Sequence, residues 1–257
     1  MIVDDRQMHI RLKEGEAGKY AILPGDPGRC EKIAKYLDNP RFVMSNREHT
    51  TWVGELDGEL VSVVSTGMGG PSTAICVEEL AAVGVHTMIR LGTCGGIQLD
   101  VESGDLVIST ASIRQEGTTC QYVPIEYPAV ADFNVVMELK EAAMKEGAKY
   151  HLGVSQSKDS FYGQHSPERM PIYYELEQKW EAWKRCGCLC SEMESSTLFI
   201  LGQYLRLRTG AVFCTVWNQE RAKLNMSNGQ TFDTEQAARV TVAALRSMIA
   251  KDKAASK

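Results

Sequence analysis

The chain lacks the features that would place it in a membrane or on nucleic acid. No apolar run approaches the roughly 20 residues of a membrane span. The net charge is −5, so no basic surface excess is available to hold a phosphate backbone by bulk electrostatics. The opening Met-Ile-Val-Asp-Asp-Arg has neither the basic nor the apolar region of a signal peptide. Internal repeats and low-complexity linkers are also missing. These absences predict a cytoplasmic protein with neither a membrane nor a nucleic-acid partner. The eight cysteines form no regular framework, and most sit in apolar segments, as reduced core thiols do. Cys186-Gly-Cys-Leu-Cys190 stands apart. A metal site prefers C-x-x-C spacing and a second ligand pair, so a short strand with one cysteine-lined face is expected here.

What is present suits one α/β domain over residues 1–257. Hydrophobic residues make up 44% and charged residues 24%, an ordinary globular balance. Strands are expected at Lys19–Leu23, Phe42–Arg47, Thr51–Leu56, Glu59–Thr66, Thr87–Gly96, Asp105–Ser112, Tyr150–Ser155 and Gly210–Trp217. Asp57-Gly58 marks a hairpin. Helices are expected after Asp26-Pro27, over Pro71–Val83, Ala131–Gly147, Pro171–Lys184 and Glu194–Leu205, and from Asp233 to about Ala250. Ser160–Met170 reads as a loop, and Lys251–Lys257 as a frayed tail. Alternating strands and helices predict a mixed central sheet with helices on both sides. Ligands in such folds gather at the carboxyl ends of strands.

The most informative stretch is Thr87-Met-Ile-Arg-Leu-Gly-Thr-Cys-Gly-Gly96. It reads as a buried strand running into a tight turn. Arg90 interrupts the apolar run, and a buried arginine must meet a negative partner. Two partners fit: a bound oxyanion such as phosphate, with Thr93 as a hydroxyl donor, or a structural carboxylate. Gly25 and Arg29 lie at a second strand-to-helix turn, where helix N–H groups collect anions.

Gly25-Asp-Pro, Ser65-Thr-Gly-Met-Gly-Gly-Pro-Ser72, Arg90-Leu-Gly-Thr-Cys-Gly-Gly96, Phe161-Tyr-Gly-Gln164 and Ser191-Glu-Met-Glu-Ser195 occur in that order. Together they resemble the serial motifs of the nucleoside phosphorylase-I family, most closely its uridine-cleaving members, from about His9 to the last helix. The resemblance implies a distorted, barrel-like mixed sheet. It also implies reversible phosphorolysis of uridine to uracil and α-ribose 1-phosphate, in a homohexamer built as three dimers.

The family's phosphate site maps to Gly25, Arg29, Arg90 and Thr93, with Arg47 reaching in from the neighbouring subunit. Its ribose site maps to Glu192, Met193 and Glu194, with His9 supplied by the partner; Arg90, Thr93 and Glu194 carry the catalysis. Phe161 and Gln164 match the base site, Phe161 by stacking and Gln164 by its mixed donor and acceptor, beside Val216 and Trp217. No cofactor is implied, although Glu48, Met68 and Ser72 match positions that hold a structural potassium ion at the dimer interface of some relatives.

Two departures concern the base. The family's Gln-x-Arg becomes Gln164-His-Ser-Pro-Glu-Arg169, and the arginine expected after Asn218 stands at Arg221. Asn218 also replaces the aspartic acid by which purine-specific relatives protonate the base. An amide cannot supply that proton.

Overall fold

Residues 87–96 form a largely buried strand in the middle of the main sheet, which extends outward from it on both sides. The computed structural model describes residues 2–255. A small hairpin pairs β1 (Ile2–Val3) with β2 (Arg6–Gln7). The main sheet contains β3 (Tyr20–Leu23), β4 (Asp38–Asn46), β5 (His49–Leu56), β6 (Glu59–Val64) and β7 (Thr87–Gly96). It continues with β8 (Leu106–Gln115), β9 (Ala129–Val130), β10 (Tyr150–Lys158), β11 (Cys190–Glu192) and β12 (Arg208–Asn218). The helices are α1 (Cys30–Ala34), α2 (Gly70–Ala82), α3 (Phe133–Lys145), α4 (Phe161–His165), α5 (Tyr173–Arg185), α6 (Ser195–Tyr204), α7 (Gln219–Lys223) and α8 (Glu235–Ala255). Among the described residues no helix is long and apolar enough to cross a membrane.

The strand order is β11-β10-β8-β12-β7-β3-β6-β5-β4, and β11 also pairs with β7. Five strands therefore close into a barrel-like ring, while β3, β6, β5 and β4 extend as an open wing. Closure rests on the antiparallel register Cys190↔Gly96 and Ser191↔Gly95. The sheet is mixed, since β12 runs parallel to β7 and antiparallel to β8. Two apolar clusters flank it. One gathers Ile33, Leu139 and Leu245 from α1, α3 and α8; the other gathers Leu80 and Phe199 from α2 and α6. Helices on both faces and a mixed, ring-closed sheet agree with the sequence expectation.

Local signals explain most element ends. Asp57 (φ 52°) and Gly58 (φ 78°) make the tight hairpin between β5 and β6. The Asp132 side chain accepts from Val135 N at 3.0 Å and caps α3. α6 lies so close to β12 that a Cβ on Gly202 would come within 2.4 Å of Thr209 Oγ1. That approach fixes the helix whose first turn follows Glu194.

Three expectations need correction. Ser160–Met170 is not an irregular loop. Ser160 Oγ accepts from Gly163 N at 2.9 Å and starts α4, and a 3₁₀ turn follows at Pro167–Arg169. Residues 186–190 are not one strand either: Cys186 is an exposed end of α5, Gly187 turns at φ 77°, and strand begins only at Cys190. The chain from Lys251 to Ala255 continues α8 instead of fraying. Arg208 Nη1 donates to Asp252 Oδ1 at 2.9 Å and the Tyr20 hydroxyl donates to Oδ2 at 2.6 Å, so tertiary contacts hold this last turn. Ser256 and Lys257 lie outside the described residues.

Candidate active site

A cavity of about 670 Å³ opens where several strands end. Gly25 and Asp26 follow β3, Gly67 follows β6, and Thr93, Cys94 and Gly95 belong to the end of β7. Lys158 ends β10, Glu192 ends β11, and Val216 and Trp217 lie near the end of β12. Ring closure brings carboxyl ends of oppositely running strands to one place.

One corner turns two guanidiniums toward open space. A Cβ on Gly25 would lie 3.8 Å from both Arg29 Nη2 and Arg90 Nη1. The bare glycine thus leaves space in front of two guanidiniums. Arg29 Nη1 and Arg90 Nη1 are buried and have no hydrogen-bond partner among the described residues. Each such orphan costs about 1–3 kcal/mol unless a ligand satisfies it. Burial, and then the charge of Arg90, lower the Arg29 pKa. Two cations facing each other in a buried corner are stabilised by an anion between them. Thr93 borders the same cavity.

Of the two kinds of partner considered from sequence, Arg90 meets the structural carboxylate, and one of its nitrogens stays unpartnered. Its Nε donates to Glu192 Oε2 at 3.2 Å, its Nη2 donates to Glu194 Oε2, and Nη1 remains for a ligand. The Glu192 carboxylate also accepts from Glu194 N at 2.8 Å, from Ser195 Oγ at 2.6 Å and from Ser157 Oγ. It holds the start of α6 and aims Arg90. Glu194 Oε1 accepts from Gly69 N at 2.7 Å. Burial raises the Glu194 pKa, the charge of Arg90 opposes that rise, and Glu192 adds to it. Met193 lies beside them on the cavity wall.

The opposite wall is aromatic. Phe161, half-exposed on α4, stacks obliquely on His165 with ring centres 4.3 Å apart, and Trp217 lies 6.0 Å beyond His165. Gln164 faces an adjoining cavity of about 620 Å³ that shares Lys158 and His165 with the first. Its Oε1 accepts from Ser191 Oγ at 2.6 Å.

Most of the remaining expected residues stand outside the cavity. Arg169 lies over the Tyr162 ring, 5.9 Å from its centre. Arg221 donates to the carbonyls of Leu99 and Ser227, each at 2.7 Å, and pairs with Glu102. Asn218 is fully buried. Its Nδ2 donates to Gln98 O and Val101 O, and its Oδ1 caps α7, so the amide serves the scaffold. Arg47 is exposed in the turn between β4 and β5. His9 pairs with Glu79 at 2.7 Å, and its carbonyl accepts from Asn46 Nδ2 at 2.7 Å. His9 and the Arg47 turn therefore form one surface feature. Glu48 and Met68 rim the cavity, and Ser72 Oγ donates to Glu48 Oε1 at 2.8 Å.

Lys158, His165, Gln230 and Phe232 also line the cavity, and the sequence reading missed them. Lys158 ends the run Ser155-Gln-Ser-Lys158, whose buried polar residues carry no apolar alternation to mark a strand pointing at a site.

The model of the phosphorylase superfamily matches residues 19–250. The chain is 52% identical over 248 residues to the uridine phosphorylase of Treponema pallidum (strain Nichols), covering 96% of each. It is 42% identical over 249 residues to the uridine phosphorylase of Escherichia coli (strain K12), covering 94% of this chain and 97% of the relative. It is also 40% identical over 211 residues to a guanosine phosphorylase of Halorubrum lacusprofundi, covering 82% and 83%.

Proposed function

Because the chain belongs to the phosphorylase superfamily, we infer that it is a uridine phosphorylase, a pentosyltransferase converting uridine and phosphate reversibly to uracil and α-ribose 1-phosphate. The observation that carries this is the pair of unpartnered guanidinium nitrogens on Arg29 and Arg90, opening beside the Glu194 carboxylate.

Phosphate is already an anion, so no base need activate it; holding and aligning it is the protein's task. Gly25, Arg29, Arg90 and Thr93 form its cradle. A phosphate oxygen attacks C1′ of the ribose as the bond from C1′ to N1 of the base breaks. Positive charge grows on the sugar, where Glu194 stabilises it. Met193 packs against the sugar. Negative charge grows on the departing base between Phe161, Val216 and Trp217, with Gln164 at its polar edge. The proton of hydrogen phosphate ends on N1 of uracil, which balances the reaction.

Arg47 and His9 complete a neighbouring subunit's site in this reading, within a homohexamer of three dimers in the cytoplasm. Their shared position on the surface, away from their own cavity, supports that role. Glu48 and Ser72, joined by a hydrogen bond beside the exposed Met68, would hold a potassium ion at the same interface. Arg169 and Arg221 are not needed at the base, since each has other work. The amide of Asn218 disfavours purine cleavage, because it is committed to backbone carbonyls.

The test is ultraviolet absorbance of uridine with enzyme, with and without phosphate. Loss of uridine only with phosphate is expected. Loss without phosphate, or turnover of inosine in its place, would overturn the assignment.

A further inference from the structure

Lys158 is 5% exposed, ends β10, and borders both adjoining cavities. Its Nζ donates to Ser191 Oγ at 2.6 Å. Among the described residues no carboxylate lies within 4 Å of it, because Arg90 takes up Glu192 and Glu194. Ser191 is itself fixed between Gln156 and Gln164. The ammonium is thus held by one neutral contact and has two further N–H donors. Nζ lies over the Phe161 ring, 5.9 Å from its centre, so the lysine stands within reach of a base bound beside that ring.

Building on the phosphorolysis reading, we propose that Lys158 is the cation that faces a carbonyl of the departing uracil and stabilises its negative charge. When the bond from C1′ to N1 breaks, its electron pair spreads over the ring onto the carbonyl oxygens O2 and O4. A buried ammonium beside such an oxygen stabilises that charge strongly, because little water screens it. Lysine has donors only, so it matches a carbonyl and not an exocyclic amine. Arg169 and Arg221 cannot do this, as one lies over Tyr162 and the other holds loop carbonyls. The rival role is structural: Lys158 balancing Glu192 and Glu194 from a distance. Burial lowers its pKa and those two carboxylates raise it, which is compatible with either role.

The experiment compares uridine with 5-fluorouridine, whose base is the better leaving group, using wild type, Lys158→Met and Lys158→Arg. We expect Lys158→Met to lower kcat/KM for uridine by about 10²-fold, with the loss for 5-fluorouridine about tenfold smaller and the phosphate KM unchanged. Lys158→Arg should restore most of the wild-type ratio between the two substrates. An equal loss for both substrates in Lys158→Met, or no loss, would overturn the proposal. If Lys158→Met does not fold, a Lys158→Arg enzyme with the wild-type substrate ratio supports the charge role, and one that discriminates against uridine overturns it. Failure of wild type to cleave uridine with phosphate would instead overturn the underlying assignment.

Discussion

Arg90 and Glu194, separated by 104 positions in sequence, are joined by a hydrogen bond from Nη2 to Oε2. The residue assigned to phosphate and the residue assigned to the sugar are therefore one charged unit. Phosphate on the free face of Arg90 and growing positive charge above Glu194 bear on the same ion pair.

Replacing Arg90 should harm function and stability together. Arg90→Ala leaves Glu192 and Glu194 buried without their cation, which costs about 3–5 kcal/mol. It also removes one side of the phosphate cradle, and kcat/KM for phosphate should fall about 10³-fold. Arg90→Lys should recover much of the stability and little of the activity, since an ammonium cannot span both carboxylates and the anion. Thermal melting and steady-state kinetics with varied phosphate separate the two effects. An unchanged phosphate KM in a folded Arg90→Ala enzyme would contradict the placement of the anion.

The proposed completion of each site by Arg47 of a neighbouring subunit predicts complementation. Arg47→Ala and Arg90→Ala enzymes should each be nearly inactive. After mixing, unfolding and reassembly, about a quarter of sites should combine an intact Arg90 with an intact Arg47 from the neighbour. No recovery of activity would argue that each chain works alone.

Asn218 should be structural. Asn218→Asp places a carboxylate against the carbonyls of Gln98 and Val101. It should lower stability by about 2–4 kcal/mol, through lost donors and repulsion. It should not create inosine turnover, because the side chain points into the scaffold. Chemical denaturation and an inosine assay check both statements, and new purine activity would show that the residue reaches the base.

His165 should make stability depend on pH. Burial, then the Lys158 charge, push its imidazole down from 6.5 to about 4. Between those values the unfolded chain binds more protons than the folded one. Stability should therefore fall as pH drops from about 6.5 toward 4 and level off below that. His165→Gln should weaken this slope in melting temperature measured from pH 7 to pH 4. The same slope in both proteins would assign the effect to other groups.

Much was legible from local pattern. The strand around Arg90, the Asp57-Gly58 hairpin and the helical turn opened by Asp26-Pro27 follow from short-range chemistry, so residues close in sequence reveal them. α4 was missed because the Ser160 cap opens a helix of only five residues, too short for an apolar period to register. The last turn of α8 was missed because its anchors, Arg208 and Tyr20, lie far away in sequence.

The sequence by itself determined the residue types of the site and their order along the chain: glycine turns, a buried arginine, a carboxylate opening a helix. Tertiary structure decided which of those groups share a ligand and which serve the scaffold. Closure of β11 on β7 places Glu192 and Glu194 against Arg90 and leaves the Nη1 nitrogen of Arg90 bare beside Arg29. The loop after β7 engages Arg221 and Asn218 through its carbonyls, and the pairing of β10 with β11 brings Lys158 to the cavity. Hydrogen bonds and charge pairing act through space over a few ångströms, so such assignments arise only once distant strands have met.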